Sequence, residues 1–210
     1  MNRMMAVSTS LDVDQRLERL KTYSPKQIPP AARRAAVMVL LAPGQTGLEL
    51  LLTQRSPNLS SHPSEISLPG GNVEPDDADL YATALRETRE ETGLLETPLY
   101  VGQLDSLYAK SGIEVAVFVS VLPQKPRLQA CPEEVAELFW VPLERLAYEA
   151  PEYKWFERNG EHWQVPFFYF EGWAIWGMTG MILVNFVNVL TESQWPSFHD
   201  RWSSNPMDAD

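Results

Sequence analysis

The sequence predicts an α+β domain, a mixed β-sheet layered with a few helices. Three observations predict it. Apolar residues alternate in "GIEVAVFVSVLP", so Ile113, Val115, Val117, Val119 and Val121 share one face, the period of a strand. In the stretch around "LYATALRETREET", Leu80, Tyr81, Ala84, Leu85 and Thr88 fall on one side of a helical wheel. The 210 residues are 44% hydrophobic and 10% aromatic, enough apolar material for one well-buried core.

The elements follow in order. "TSLDVDQRLERLKTY" reads as an amphipathic helix, capped by Thr9 or Ser10 with acidic residues in its first turn, and "SPKQIPP" ends it. "AARRAAVMVLLAP" and "LELLLTQRS" read as two strands joined by the turn "PGQTG". A glycine-rich loop leads to a helix over about Asp77 to Thr92. Gly93 stands where a left-handed C-cap belongs, with Leu94 and Leu95 behind it to pack back. "PLYVGQLDSLYA" and "GIEVAVFVSVLP" are the next strands, and "ELFWVPLERL" is a strand entering a helical turn. "EHWQVPFFYF" is a further strand. Trp155, Trp163, Phe167, Phe168 and Tyr169 read as core or subunit contact.

The charge-free stretch Gly172 to Thr191 is about long enough to cross a membrane. It carries Thr179, Asn185, Asn188 and two internal glycines, and polar groups need partners in lipid, so it reads as a buried helix. The division is a helical segment over 1–28, a domain over 29–192 and a tail over 193–210 that frays. A net charge of −11 argues against nucleic-acid and anionic-membrane partners. The single cysteine, Cys131, allows no disulfide within the chain, and "MNRMMAVSTSLDVDQ" lacks the apolar stretch of a signal peptide. Both fit a cytoplasmic protein.

Glu87, Glu90 and Glu91 share one side of the helix toward its C-terminus. Like charges at i, i+4 oppose helix formation by roughly 0.2–0.5 kcal/mol. The helix dipole disfavours each anion there by roughly 0.3–1 kcal/mol. A bound divalent cation would turn this unfavourable cluster into a ligand set, and carboxylate oxygens suit Mg²⁺ or Mn²⁺. Gly70 and Gly71 in "PGG" let the backbone turn tightly and approach a ligand closely.

Together these residues resemble the Nudix box, G-x5-E-x7-R-E-U-x-E-E-x-G-U, with U aliphatic. "RETREETGL", Arg86 to Leu94, matches its second half, except that Thr88 holds an aliphatic position. The first half is one residue longer than standard, with Asp77 where the first glutamate belongs. That spacing is similar to the CoA pyrophosphatase branch. So is "LLTQRSPNLSSHPSEISLPGG", Leu51 to Gly71, which resembles the branch's upstream motif. Ser60 replaces its arginine, Ser64 its glycine, Ile66 its valine and Leu68 its phenylalanine. The resemblance runs from about Ala31 to Leu190.

The resemblance implies a Nudix-like α/β/α sandwich whose box is a loop–helix–loop. It implies Glu87, Glu90 and Glu91 as ligands of Mg²⁺ or Mn²⁺, Arg86 as the residue orienting them, and Asp77 in support. Glu90, Glu91 or Glu134 could serve as general base; Glu133 and Glu134 lie where some relatives carry an extra glutamate. Arg55, His62, Gly70 and Gly71 stand as substrate contacts, and Arg33 and Arg34 are further cations near a strand start. The implied reaction is hydrolysis of a diphosphate in CoA or a CoA derivative, giving 3′,5′-ADP and 4′-phosphopantetheine. Two alternatives stand beside it: another Nudix pyrophosphatase acting on ADP-ribose, dinucleotides or nucleotide sugars, and a non-catalytic Nudix-fold ligand-binding protein. The expected partner is a small diphosphate, with a homodimer as the candidate assembly.

Overall fold

The computed structural model describes residues 9–158 and 161–197. In chain order the helices are α1 (Thr9–Thr22), α2 (Leu80–Thr92), α3 (Leu143–Tyr148) and α4 (Gly177–Thr191). The strands are β1 (Arg34–Pro43), β2 (Leu48–Arg55), β3 (Ile66–Ser67), β4 (Gly70–Asn72), β5 (Leu99–Tyr108), β6 (Glu114–Val121) and β7 (Val135–Pro142). They continue with β8 (Glu152–Arg158), β9 (Glu161–Phe170) and β10 (Trp173–Ile175). The side chains of Thr9 and Ser10, expected to cap α1, and the tail beyond residue 197 lie outside what the structure describes.

Seven strands form one mixed sheet in the order β3-β2-β1-β6-β5, with β4 also on β1 and β7 on β2. β1 and β6 run parallel and the other pairs antiparallel. The pleat of β1 divides the core. Ala36, Met38 and Leu40 face α2, joined by Ala84, Ala116 and Phe118. Val39 and Leu41 face the other way, onto a larger cluster with Val115, Val117 and Val119 of β6 and Leu183 and Phe186 of α4. The face expected for Ile113 through Val121 is therefore the one covered by α4. Leu20 of α1 is buried in the same cluster, so α1 closes that layer.

Some element bounds differ from expectation. α2 starts at Leu80, because Asp79 accepts a hydrogen bond from the Ala82 amide and caps it. Asp76 and Asp77 are left in the loop. Gly93 is the left-handed cap, but only Leu94 packs back; Leu95 is 89% exposed. The "PGG" stretch is not purely loop, since Gly70 and Gly71 open β4. α4 begins at Gly177, and Trp173–Ile175 form an edge strand instead of its first turn. "EYKWFER" forms β8, a strand outside the expected set, in an antiparallel three-stranded sheet β10-β9-β8. Phe168 is buried there, while Trp163 and Tyr169 stay exposed. Among the described residues no helix is long and apolar enough to cross a membrane.

Candidate active site

α2 lies against β4 and β1, and this contact creates the site. A Cβ on Gly71 would sit 2.5 Å from the Glu87 carboxylate, so glycine here lets that carboxylate stay where it lies. Gly70 has φ 147°, and a Cβ there would lie 2.3 Å from the Ala36 carbonyl oxygen. With no Cβ to hold it off, the Gly70 amide donates to Glu91 Oε2 at 3.2 Å.

Glu91 is the buried member of the cluster, 3% exposed. Burial pushes its carboxyl up to about 8; the Gly70 amide and Arg55 pull the other way, while Glu87 and Glu134 push further. Burial also raises Glu87, against the pull of Arg86 and with repulsion from Glu90 and Glu134. Glu90 stands at the rim, its side chain 56% exposed.

Arg86 answers why anions can gather at this end of a helix. Its Nη1 pairs with Glu87 at 3.1 Å and Glu90 at 2.9 Å. Nε and Nη2 bind Asp77 at 3.0 and 3.1 Å, and Nη2 also reaches the Asn72 carbonyl at 3.0 Å. Asp77 takes two further hydrogen bonds, from the Glu74 amide and the Thr83 hydroxyl, and this company holds its carboxyl well below the usual range. The loop is thus fastened to the helix through Asp77. Thr83 is a positioning residue that the sequence reading missed. Its one signal was a small hydroxyl residue one turn before Arg86 and Glu87, on the charged side of the helix.

The C-terminal end of α2 is fastened from another side. The Gln129 amide donates to the Thr92 carbonyl and the Cys131 amide to the Glu91 carbonyl, meeting acceptors that a helix end leaves open. This docked loop carries Glu134 to where its charge acts on Glu87 and Glu91. The Ser56 amide binds the Glu134 carbonyl oxygen, which brings the end of β2 and Arg55 to the same place. Arg55 is half-buried, and its Nε has no hydrogen-bond partner. Glu133 turns away to Cys131.

The remaining expected contacts lie apart from this cluster. His62 is exposed and paired with Glu65 at 2.9 Å. Arg34 is engaged with the buried Glu114 at 3.0 Å. Thr88, at the box's aliphatic position, is buried with its hydroxyl turned back onto the Ala84 carbonyl at 2.6 Å, so it fills an apolar place without an orphaned oxygen. Ser64, where the upstream motif has glycine, has φ 62°. The motif's glycine thus answers a left-handed backbone.

Among the described residues, no three acidic, histidine or cysteine side chains stand in a ready metal-ligand arrangement, because Arg86 holds Glu87 and Glu90. The donor chemistry still fits a hard divalent cation. Glu87 and Glu91 are acids whose joint ionisation is opposed by burial and by each other, and a cation among them would remove that opposition.

A model of the family described as the NUDIX domain matches residues 32–165. The chain belongs to the Nudix family. It is a Nudix hydrolase, an enzyme of the pyrophosphatase kind, and such hydrolases use divalent metal ions. The protein named uncharacterized Nudix hydrolase NudL of Photorhabdus laumondii is 37% identical over 163 residues, which are 76% of this chain and 86% of that one. Its namesake in Yersinia enterocolitica is 38% identical over 140 residues, 64% of this chain and 70% of the other. Among solved structures, the NUDIX domain of Shewanella oneidensis NrtR, complexed with ADP ribose, is 23% identical with a TM-score of 0.46. It covers 60% of this chain and 82% of that domain.

Proposed function

We propose that this Nudix hydrolase cleaves the diphosphate of CoA or a CoA derivative, releasing 3′,5′-ADP and 4′-phosphopantetheine, in the cytoplasm. The observation that carries the reaction is the convergence of Glu87, Glu91 and Glu134 beside the half-buried Arg55. Three acidic groups alone would repel a diphosphate. Arg55 supplies a cation beside these carboxylates, its charge acting on Glu91, and a guanidinium is suited to a phosphate oxygen.

Glu87, Glu90 and Glu91 are the residues that would hold Mg²⁺ or Mn²⁺, which when bound supplies charge neutralisation of the diphosphate and acidification of a water. Arg86 aims the carboxylates, with Asp77 keeping its guanidinium in place. Gly70 orients Glu91 through its amide, and Gly71 leaves room for Glu87. Glu134 takes the role of general base, since Glu87 and Glu90 are bound to Arg86 and Glu91 to Gly70. His62 lies on the loop that follows Arg55, among the motif residues that support the CoA reading, and would meet the far part of the substrate.

A second reading, ADP-ribose or another nucleoside diphosphate derivative, draws support from Ser60 and Ser64, where the CoA-branch motif has arginine and glycine. The test incubates the protein with Mg²⁺ or Mn²⁺ and CoA, ADP-ribose, NADH or a diadenosine polyphosphate, and identifies products by mass. CoA cleaved to the two named products supports the first reading. ADP-ribose or a dinucleotide turned over at least about tenfold more efficiently, a difference of ~1.4 kcal/mol, overturns it in favour of the second.

A further inference from the structure

Two glutamates stand side by side after Pro132, and the chain treats them differently. The charge of Glu134 acts on both Glu87 and Glu91. Glu133 is folded back, with the Cys131 thiol donating to its Oε2 at 3.3 Å. The backbone explains the split. The Glu134 amide donates to the Cys131 carbonyl at 3.0 Å, and the Val135 amide donates to the same oxygen at 2.7 Å. Bonds from the third and fourth residues onward make a single helical turn, in which successive side chains diverge by about 100°. Such a turn brings one of two adjacent glutamates to α2 and carries the other away.

Both ends of the turn are tied to parts of the site. At its start the Cys131 amide donates to the Glu91 carbonyl at 3.0 Å, and two residues earlier the Gln129 amide donates to that of Thr92 at 2.9 Å. At its end the Glu134 carbonyl accepts from the Ser56 amide at 2.8 Å, and Val135 opens β7 opposite Arg55. The turn therefore links the helix of Glu87 and Glu91 to the strand of Arg55 through main-chain bonds, and Glu134 rides on it.

Pro132 occupies the first position inside this turn. Proline holds its own φ at about −65°, the value that position takes. It also keeps the residue before it out of the helical region. Cys131 is that residue, and it serves in two directions: its amide binds the Glu91 carbonyl, and its own carbonyl receives Glu134 and Val135. Pro132 is itself exposed, so it fills no place in the core. We infer that Pro132 is a positioning residue for the reaction: by fixing the turn it selects Glu134 over Glu133 as the carboxylate brought beside Glu87 and Glu91. The inference rests on Glu134 being the general base. A base must stand within hydrogen-bond reach of the proton it removes, and misplacement by about 1 Å can cost about 10²-fold in rate. Glycine at 132 would release both the turn and Cys131, whereas alanine still favours the helical region and keeps part of the restraint.

A double-mutant cycle on the full chain tests this, read by steady-state kinetics with saturating Mg²⁺ and the better substrate of CoA and ADP-ribose. Pro132→Gly should lower kcat about threefold to tenfold with KM nearly unchanged, and Pro132→Ala should fall between it and the parent. Glu134→Gln should lower kcat further. Adding Pro132→Gly to Glu134→Gln should cost less than about twofold more, because a turn that acts through Glu134 then has no base left to place. Glu133→Gln should match the parent. Thermal melts should put Pro132→Gly within about 4 °C of the parent, the scale of a lost loop proline in a chain of this length. An unchanged Pro132→Gly, a raised KM in place of a lowered kcat, losses that multiply in the double variant, or a Glu133→Gln variant as slow as Glu134→Gln overturns the proposal. An unchanged Glu134→Gln removes the general-base reading and the proposal with it, so the single variants tell the two failures apart. Should Pro132→Gly melt far lower, Pro132→Ala carries the same cycle.

Discussion

Arg86 grips Asp77 with two parallel hydrogen bonds, Nε to Oδ1 at 3.0 Å and Nη2 to Oδ2 at 3.1 Å. The grip leaves Nη1 to hold Glu87 and Glu90. Asp77→Ala should therefore lower the melting temperature, since the Glu74 amide and Thr83 hydroxyl lose their acceptor as well. It should also lower kcat more than it raises KM, because Arg86 aims the carboxylates without serving as a substrate contact. Thermal melts and steady-state kinetics on one preparation read both. A raised KM at unchanged kcat would place Asp77 in substrate binding instead.

Glu90→Gln and Glu91→Gln should each lower turnover about 10²-fold or more at saturating metal, the scale of losing a positioned acid–base or metal-binding group. Their stabilities should part. Glu91→Gln keeps an oxygen for the Gly70 amide and cannot ionise, so the metal-free variant should melt higher than the parent as the pH rises through about 8. Glu90→Gln loses only an exposed pair with Arg86, worth about 0–1 kcal/mol. Normal turnover in both variants would put the reaction elsewhere on the molecule.

The raised Glu91 carboxyl sets a pH dependence. Its ordinary value is 4.5 and its folded value about 8, so the fold binds this proton more tightly than the unfolded chain does. Its contribution to stability is complete below pH 4.5 and is lost as the pH rises through about 8. In EDTA the melting temperature should fall across that window. Mg²⁺ or Mn²⁺ should raise it more at the alkaline end, by binding the ionised native form. Glu91→Gln should flatten the EDTA profile. A flat profile in the parent would mean that this carboxyl is already ionised in the metal-free fold.

The two glycines make opposite predictions. In Gly71→Ala the new methyl meets the end of a flexible side chain, Glu87, which can swing aside. The fold should survive and activity should fall. In Gly70→Ala the methyl meets the Ala36 carbonyl and the Val37 backbone at a φ that disfavours any side chain. That variant should lose roughly 2 kcal/mol or more of stability. Urea melts on both, with activity measured at low urea, separate the two effects. Equal stability losses would show that Glu87 is too firmly held to move.

The glutamates, Arg86, the Gly93 cap and the alternation of β6 were legible in the sequence because each obeys a local rule: spacing, terminal position or period. The start of α2 was not, since Asp76, Asp77 and Asp79 are equally good caps and only tertiary contacts give Asp77 to Arg86. β4 escaped because Gly70 and Gly71 have no side chains with which to announce a strand, and their pairing with β1 is decided by how closely α2 approaches. β8 escaped because four of its seven residues are charged, and its apolar residues face opposite ways. β10 was hidden in an apolar run that continues into α4. The approach of Glu134 to Glu87 and Glu91 was legible only through the family resemblance, because it depends on Gln129 and Cys131 docking on the end of a helix some forty residues earlier in the chain.

The upstream motif carries the most exposed prediction. Ser64 has a left-handed backbone, φ 62°, which costs a non-glycine residue roughly 1 kcal/mol. Ser64→Gly alone should thus raise the melting temperature, whatever the substrate. Ser60 is exposed on the same loop, which leaves β2 just after Arg55. Ser60→Arg would place a second cation near the first. If the substrate is CoA, whose extra phosphate distinguishes it from ADP-ribose, Ser60→Arg with Ser64→Gly should improve kcat/KM for CoA more than for ADP-ribose. Arg55→Ala should cost roughly 1.5–3 kcal/mol in kcat/KM on either substrate, the size of a charge-assisted hydrogen bond to the shared diphosphate. The three readouts are independent. A stabilised Ser64→Gly with equal gains on both substrates would keep the backbone argument and remove CoA. An Arg55→Ala variant as active as the parent would remove the phosphate contact, while the glutamate cluster and its chemistry would stand.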